Sequence, residues 1–225
     1  MVGTTQATLV TIGTATYGGS DYNLIWDDNN NGNSVVWLDY TNAATNWSSQ
    51  TAWASGLDGN LTYNIDTEYS VSWDDTDWRL GSTFDGEYQW GYDGTTTAGY
   101  NITSSEMGHL FYEELGNLGY YDTSGNAQAG FGLTETGDFE NLIACWYWSG
   151  TAYLGSFEYA WNFRMGSGYQ GSDNNQNSGY GLALRSGQVS AAAPVPEPAT
   201  MILFGTGLIG LAGFRRTKKE RNSCS

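Results

Sequence analysis

Thr103-Ser104-Ser105-Glu106-Met107-Gly108-His109-Leu110-Phe111, continued by Leu115 and Leu118, is the stretch on which the fold class turns. Thr103-Ser104-Ser105-Glu106 has the form of a capping box, in which a hydroxyl satisfies the first free amides of a helix and a glutamate three residues on reaches back. Met107, Leu110, Phe111, Leu115 and Leu118 then recur at helical spacing along one apolar face, and Gly116 or Gly119 ends it. Upstream, Trp47–Leu57 predicts an earlier helix carrying Trp47, Ala54 and Leu57 and stopping before Gly59. Tyr22–Trp26 and Val35–Asp39 flank an Asp/Asn/Gly loop and predict a hairpin. After Gly130 the pattern is strand-like: Leu142–Ser149, Ala160–Met165 and Tyr180–Arg185, separated by Gly-rich turns. Gly166–Gly179 is a polar tip whose apolar anchor is Tyr169, and it is expected to be mobile. Two helices early and strands late predict an α+β fold, a single β-rich domain.

Charge divides the 225 residues sharply. Residues 1–190 hold three arginines against 22 acids, a net −19, whereas residues 191–225 hold five basic residues against two acids, a net +3; together they make the −16 of the chain. Nucleic-acid affinity comes largely from Lys and Arg neutralising phosphates, so a domain with this field excludes nucleic acid as a partner. All ten Trp precede residue 162, far more burial potential than a disordered acidic chain carries. Cys145 lies in Cys145-Trp146-Tyr147-Trp148 and Cys224 beyond the basic cluster, so no disulfide framework is expected and Cys145 reads as a small buried hydrophobe.

Residues 191–198, Ala-Ala-Ala-Pro-Val-Pro-Glu-Pro, contain every proline of the chain and predict an extended linker. Residues 199–214 follow without a charge, and then Arg215-Arg216-Thr217-Lys218-Lys219 opens a basic tail over 215–225. As a helix, 16 residues span about 24 Å, short of the roughly 30 Å hydrocarbon core, so this is a marginal transmembrane helix. The positive-inside rule puts the tail in the cytoplasm and the acidic domain outside. Val195, Pro196, Glu197 and Pro198, the Gly-rich apolar run, and Arg215 with Arg216 together resemble the PEP-CTERM sorting signal. The resemblance implies processing by an exosortase, a membrane-embedded transpeptidase-like enzyme of Gram-negative bacteria that typically make exopolysaccharide. The protein is then held at the inner membrane before processing and reaches the cell surface or the extracellular space afterwards. An exported domain needs an N-terminal signal, yet Met1–Ala15 has no Lys or Arg and only a patchy apolar run from Ala7 to Ile12. Residues 1–16 are therefore read as an N-terminal segment without its signal peptide, from a start placed downstream of the true one or a trimmed chain, and 17–190 as the acidic exported domain.

Within that domain, Trp78-Arg79-Leu80, Ser105-Glu106-Met107, Tyr147-Trp148-Ser149-Gly150-Thr151, Ala160-Trp161 and Leu184-Arg185 occur in the order seen in the Lcl C-terminal-like domain, which residues 17–187 resemble. The resemblance implies a fold of the C-type-lectin-like or formylglycine-generating-enzyme type. Gly81 stands where that family usually has proline after Trp-Arg-Leu, and the paired cysteines of many lectin-like folds are absent, so sugar binding is not inherited from the family.

Asp27-Asp28-Asn29-Asn30-Asn31-Gly32 contains D-x-N-x-N-G, the first half of an EF-hand-type calcium loop. Asp27, Asn29 and Asn31 would supply its first oxygens, with Asp39 the distant carboxylate, since the twelfth loop position is Leu38. An Asn/Gly hairpin turn demands the same residues. Asp74-Asp75-Thr76-Asp77 and Glu113-Glu114 read as solvated acids, and His109, three residues past Glu106, reads as its i,i+3 hydrogen-bond partner. One histidine and one domain thiol do not supply a zinc site or a nucleophilic triad. The Trp and Tyr residues suit either stacking on sugar rings or packing of a core poor in Leu and Ile. The reading is a non-enzymatic, exported cell-surface or matrix protein associated with exopolysaccharide. A carbohydrate-binding module is the alternative, recognised by exposed coplanar aromatics. A glycan-active or formylglycine-type enzyme is the second, recognised by a cleft of convergent titratable groups.

Overall fold

The computed structural model of the chain describes residues 9–74 and 77–192. Strands β1 (Leu9–Tyr17), β2 (Ser20–Asn30), β3 (Asn33–Leu38) and β4 (Asn42–Thr45) precede helix α1 (Trp47–Ser55). Strands β5 (Thr62–Ile65), β6 (Tyr69–Trp73), β7 (Arg79–Leu80), β8 (Trp90–Gly91) and β9 (Ala98–Gly99) lead to α2 (Glu106–His109), which runs straight into one π turn over Leu110–Glu114. Strands β10 (Trp146–Ala152), β11 (Tyr159–Arg164), β12 (Tyr169–Asn174), β13 (Gly179–Gly181) and β14 (Ala183–Ala191) complete a β-rich domain with two short helices, an α+β arrangement. Its compact unit closes at Ala191, one residue past the expected end of the exported domain. Among the described residues no helix is long and apolar enough to cross a membrane.

Two sheets organise the strands. One has the order β5-β1-β2-β3-β14-β6, with β7 also paired to β14; the other runs β4-β13-β10-β11-β12-β9-β8. The middle of the first sheet is covered on both sides, which is why Val35-Val36-Trp37-Leu38 is an unbroken apolar run with every residue fully buried. Side chains alternate across a strand. Ile25, Val35, Trp37 and Leu184 therefore join one cluster with Met107, Leu110 and Phe111, whereas Leu24, Val36, Leu38 and Ala183 join the other with Ala54, Trp78 and Trp148.

The predicted hairpin is present and longer than expected. Ile25 faces Trp37 and Asn30 faces Asn33, leaving Asn31-Gly32 as a two-residue turn with φ of 51° and 84°. Both values lie in the left-handed region that a type I′ turn requires and that Asn-Gly supplies at small cost. Helix α1 forms where predicted, with Asn46 accepting from the Ser49 amide as its cap.

Four expectations are corrected. Residues 9–16 belong to the domain: Ile12 and Ala15 on β1 are fully buried, and β1 pairs with both β2 and β5. Ser105, not Thr103, caps α2, accepting from the Gly108 amide, and Glu106 turns away from the helix end to bind Arg79. The helix then widens, the Leu115 amide donating to the Leu110 carbonyl five residues back. This π turn keeps Met107, Leu110, Phe111 and Leu115 in one core, while Gly116 at φ 66° turns the chain and leaves Leu118 46% exposed. Finally, Gly166–Gly179 is no loose tip. Tyr169–Asn174 is β12, paired with β11 along its whole length, and the Gln170 amide is buried and donates to the Thr97 carbonyl.

Removing residues 1–16 should therefore abolish the cooperative thermal transition seen for the full chain by near-ultraviolet circular dichroism, because β2 and β5 lose their shared partner. A truncated chain melting like the full one would show β1 to be dispensable.

Candidate functional site

The tip of the β2–β3 hairpin is fastened to α2, and the buried polar residues Asp27, Asn30, Ser105 and Glu106 meet at that junction. Glu106, 6% exposed, receives both arms of the Arg79 guanidinium at 2.5 and 2.7 Å, and its Oε2 also accepts from the Ser82 amide and hydroxyl at 2.6 and 2.9 Å. Asn30 then bridges hairpin and helix, its Nδ2 donating to Asp27 Oδ2 at 2.8 Å and to the Glu106 carbonyl at 3.2 Å. Asn31 Nδ2 donates to the Ser105 carbonyl at 3.4 Å.

Beneath these contacts lies a buried titratable cluster. Asp27 is fully buried and accepts from Asn30 and from the Trp37 indole at 3.3 Å. Loss of water pushes its carboxyl up to about 6; the charge of Glu114 adds to that, and the Asn30 and Trp37 donors oppose it. His109 Nε2 lies 3.1 Å from Glu114 Oε1, and this bond raises the imidazole's affinity for its proton above the ordinary value, against the opposing effect of burial. Two expectations change here. The partner of His109 is Glu114, not Glu106, because the π turn carries residue 114 back beneath the ring. Glu114, expected in solvent, has a side chain only 2% exposed. Its Oε2 and Asn30 Oδ1 are buried without a hydrogen-bond partner. The cluster is enclosed: Asp27 is fully buried and the Glu114 side chain nearly so.

The structure does not bring Asp27, Asn29, Asn31 and Asp39 together. Asp27, Asn29 and Asn30 belong to β2, whose register shifts between Asp27 and Asn30, a bulge followed by the Asn-Gly turn. Asp39 lies beyond the opposite end of β3, its amide bonded to the Asn23 carbonyl. Asn23 and Asp27 are four steps apart along β2, roughly 13 Å at the rise of a strand. Asp39 is itself 1% exposed and accepts from the Glu140 amide, the Asn141 amide and Asn141 Nδ2 at 2.8–3.1 Å, anchoring the 140–141 segment. Burial raises its carboxyl despite these donors. Among the described residues no group of three or more His, Cys, Asp or Glu side chains is placed to hold a metal ion. Cys145 is a free, half-buried thiol. Asp77 is exposed, and Asp75 lies outside the described residues.

A second feature was only partly legible in sequence. Tyr and Trp rings run in contact across one end of the second sheet. Trp90 meets Tyr92 at 4.5 Å between centroids, Tyr92 stacks on Tyr100 at 6.5 Å, and Tyr100 meets Tyr169 at 5.4 Å. The Tyr169 and Tyr88 hydroxyls are 2.7 Å apart, and the Tyr88 ring stacks at 6.1 Å on Trp161 with only 12° between planes. Trp161 is buried, whereas Tyr88 and Trp90 are 39% and 47% exposed. The local signal was the density of aromatics over Tyr88–Tyr100. The missing information was that β12 would carry Tyr169 alongside them.

Val195, Pro196, Glu197, Pro198, Arg215 and Arg216, the 199–214 run and the basic tail lie outside the described residues. A family model described as the PEP-CTERM protein-sorting motif matches residues 194–216. Searches of curated proteins and of solved structures find no match to the chain. The resemblance to the Lcl C-terminal-like domain receives no support from these comparisons. The residues that carry it have structural work: Trp78, Tyr147, Trp148, Trp161 and Leu184 are buried, and Arg79 and Glu106 form the junction pair.

Two outcomes test the junction. Glu106→Gln leaves Arg79 without its counter-charge. Breaking a buried pair costs about 3–5 kcal/mol, but the Arg79 side chain is 37% exposed, so a loss of about 2–3 kcal/mol is expected. That is a fall of roughly 4–12 °C in Tm for a domain of this size, which Arg79→Lys reproduces in part because an ammonium lacks the two-pronged fork. The raised Asp27 carboxyl favours the folded state while protonated. Its contribution is full below its ordinary value of 3.8 and is lost as pH rises through about 6. Relative to Asp27→Asn, the natural protein should lose on the order of 3 kcal/mol between pH 4 and pH 7 in denaturant unfolding. A difference that stays constant across this range would show that Asp27 does not titrate in the interior.

Proposed function

We propose that this chain is an exported cell-surface or extracellular-matrix protein, sorted by an exosortase through its C-terminal Pro-Glu-Pro signal, associated with exopolysaccharide and without a reaction of its own. The observation that carries this is the sorting-motif match over residues 194–216, which covers the proline-rich segment, the uncharged run and the first arginines of the tail. The motif implies export, transient anchoring in the membrane and an exosortase as processing partner. Physical chemistry supports the same order of events. A run of 16 uncharged residues diluted by four glycines holds a chain at a bilayer weakly, and five basic residues stop its passage. Ahead of it stands a domain at −19, without a lysine and closed at Ala191, so cleavage near Pro196–Pro198 falls beyond β14.

Intact-mass analysis of the cell-associated and released protein tests the sorting. The mature polypeptide should end near Pro196–Pro198, lacking the uncharged run and the basic tail. Recovery of Cys224 in the mature polypeptide would overturn the reading.

A further inference from the structure

The aromatic face of the second sheet is built unlike a core. Phe84 is 68% exposed, Tyr88 39% and Trp90 47% on the segment leading into β8, and Leu154, Phe157 and Tyr159 are 85%, 101% and 39% exposed at the β10–β11 hairpin. Single exposed apolar residues are normal; six on two adjoining segments form a patch, and patches of this kind mark binding surfaces. The two segments are held to each other. Both oxygens of Asp85 accept from the Leu154 amide at 3.2 Å, and Asp85 Oδ1 accepts from the buried Trp161 indole at 2.8 Å. Tyr88 lies flat on that same indole. Trp90 is fixed by the parallel β8–β9 pair, where Gly99 at φ 120° lets the backbones close so tightly that a Cβ there would overlap the Gly91 carbonyl. Tyr88 and Trp90 are thus supported from behind, and a ligand that covers these two rings orders little further.

We propose that this face binds an uncharged polysaccharide, with sugar rings lying on Trp90 and Tyr88. A pyranose has a C–H face that covers an aromatic ring and a rim of hydroxyls that needs partners. The Tyr88–Tyr169 hydroxyl pair uses one donor and one acceptor, leaving the second proton and further lone pairs for sugar hydroxyls. Charge selects among occupants. Glu87, Asp93 and Glu158 are exposed beside the rings, in a domain at −19, against Arg164, whose guanidinium lies 5.2 Å from the centre of the Tyr169 ring. An acidic polymer or an anionic membrane surface is repelled, and a second copy brings another −19 to the contact. A neutral chain meets none of these costs. The inference rests on the reading that the protein works among extracellular polymers, and it gives that association a site and a class of ligand.

Native affinity electrophoresis of the full chain in gels containing hydroxyethylcellulose, dextran or galactomannan, with alginate as the acidic control, tests it independently of tail cleavage. Retardation is expected in at least one neutral gel and not in alginate. Trp90→Ala with Tyr88→Ala should weaken it at least tenfold, and Glu68→Ala in the β5–β6 turn should leave it unchanged. Because Tyr88 covers Trp161, Phe157→Ser is the second variant: its ring is fully exposed, so it leaves the melting curve in place, and it should weaken retardation severalfold. No retardation by any neutral polymer, retardation undiminished in the variants, or binding instead to alginate, to phosphatidylcholine vesicles or to a second copy would each overturn the proposal. Loss of glycan binding in a correctly cleaved protein would leave the sorting intact.

Discussion

The Arg79–Glu106 pair is the contact on which the architecture closes. Arg79 and Leu80 pair with β14 in the first sheet, and two residues on, the Gly81 carbonyl accepts from the Gly150 amide and the Ser149 hydroxyl of β10 in the second. Residues 79–82 are therefore the seam between the sheets, and Glu106 grips that seam at Arg79 and at Ser82 while its own amide donates to the Ser82 carbonyl. Through Asn30 the same residue holds the hairpin tip. A buried carboxylate is costly unless its lone pairs are filled. Here four donor bonds fill them, two from Arg79 and two from Ser82, so the charge ties the start of α2 to the seam. Gly81 is part of the same constraint, since a Cβ there would press on Met107 at 3.2 Å.

Much of this frame was legible from residue order. Tyr22–Trp26 and Val35–Asp39 announce a hairpin, the Asn/Gly loop between them announces its turn, and Trp47–Leu57 announces a helix. What misled was chemistry whose partner lies far along the chain. Ser105-Glu106 has every local mark of a capped helix, but an arginine 27 residues upstream competes for the glutamate and wins with two charged bonds. Glu114 looks solvated on a helix of regular pitch; the π turn alters the pitch and buries it. Polar Tyr169–Asn174 carries no periodic apolar signal; its pairing with β11 and β9 holds it in the sheet.

The candidate sites divide the same way. Calcium-type spacing in Asp27–Gly32 and a type I′ hairpin share one vocabulary of Asp, Asn and Gly, and only the fold says that Asp27 points at Trp37 and that Asp39 belongs to another loop. The aromatic face was visible as composition but not as a surface. Ten tryptophans say that rings must pack, and nothing in their order says which will be left half out. Trp78, Trp148 and Trp161 went into the core, and Trp90 did not.

Strand β14 is also a mechanical element. Gly187–Ala191 pair residue by residue with Trp73–Tyr69 of β6, and the upstream part of the strand pairs with β3 and β7, so the chain remains in the sheet through Ala191, where the linker is expected to begin. Hydrogen bonds of an antiparallel ladder lie perpendicular to the strands. Tension directed along β14 therefore loads them in shear, all at once, instead of peeling them singly. A pull along that axis from the C-terminal end would meet the whole ladder together.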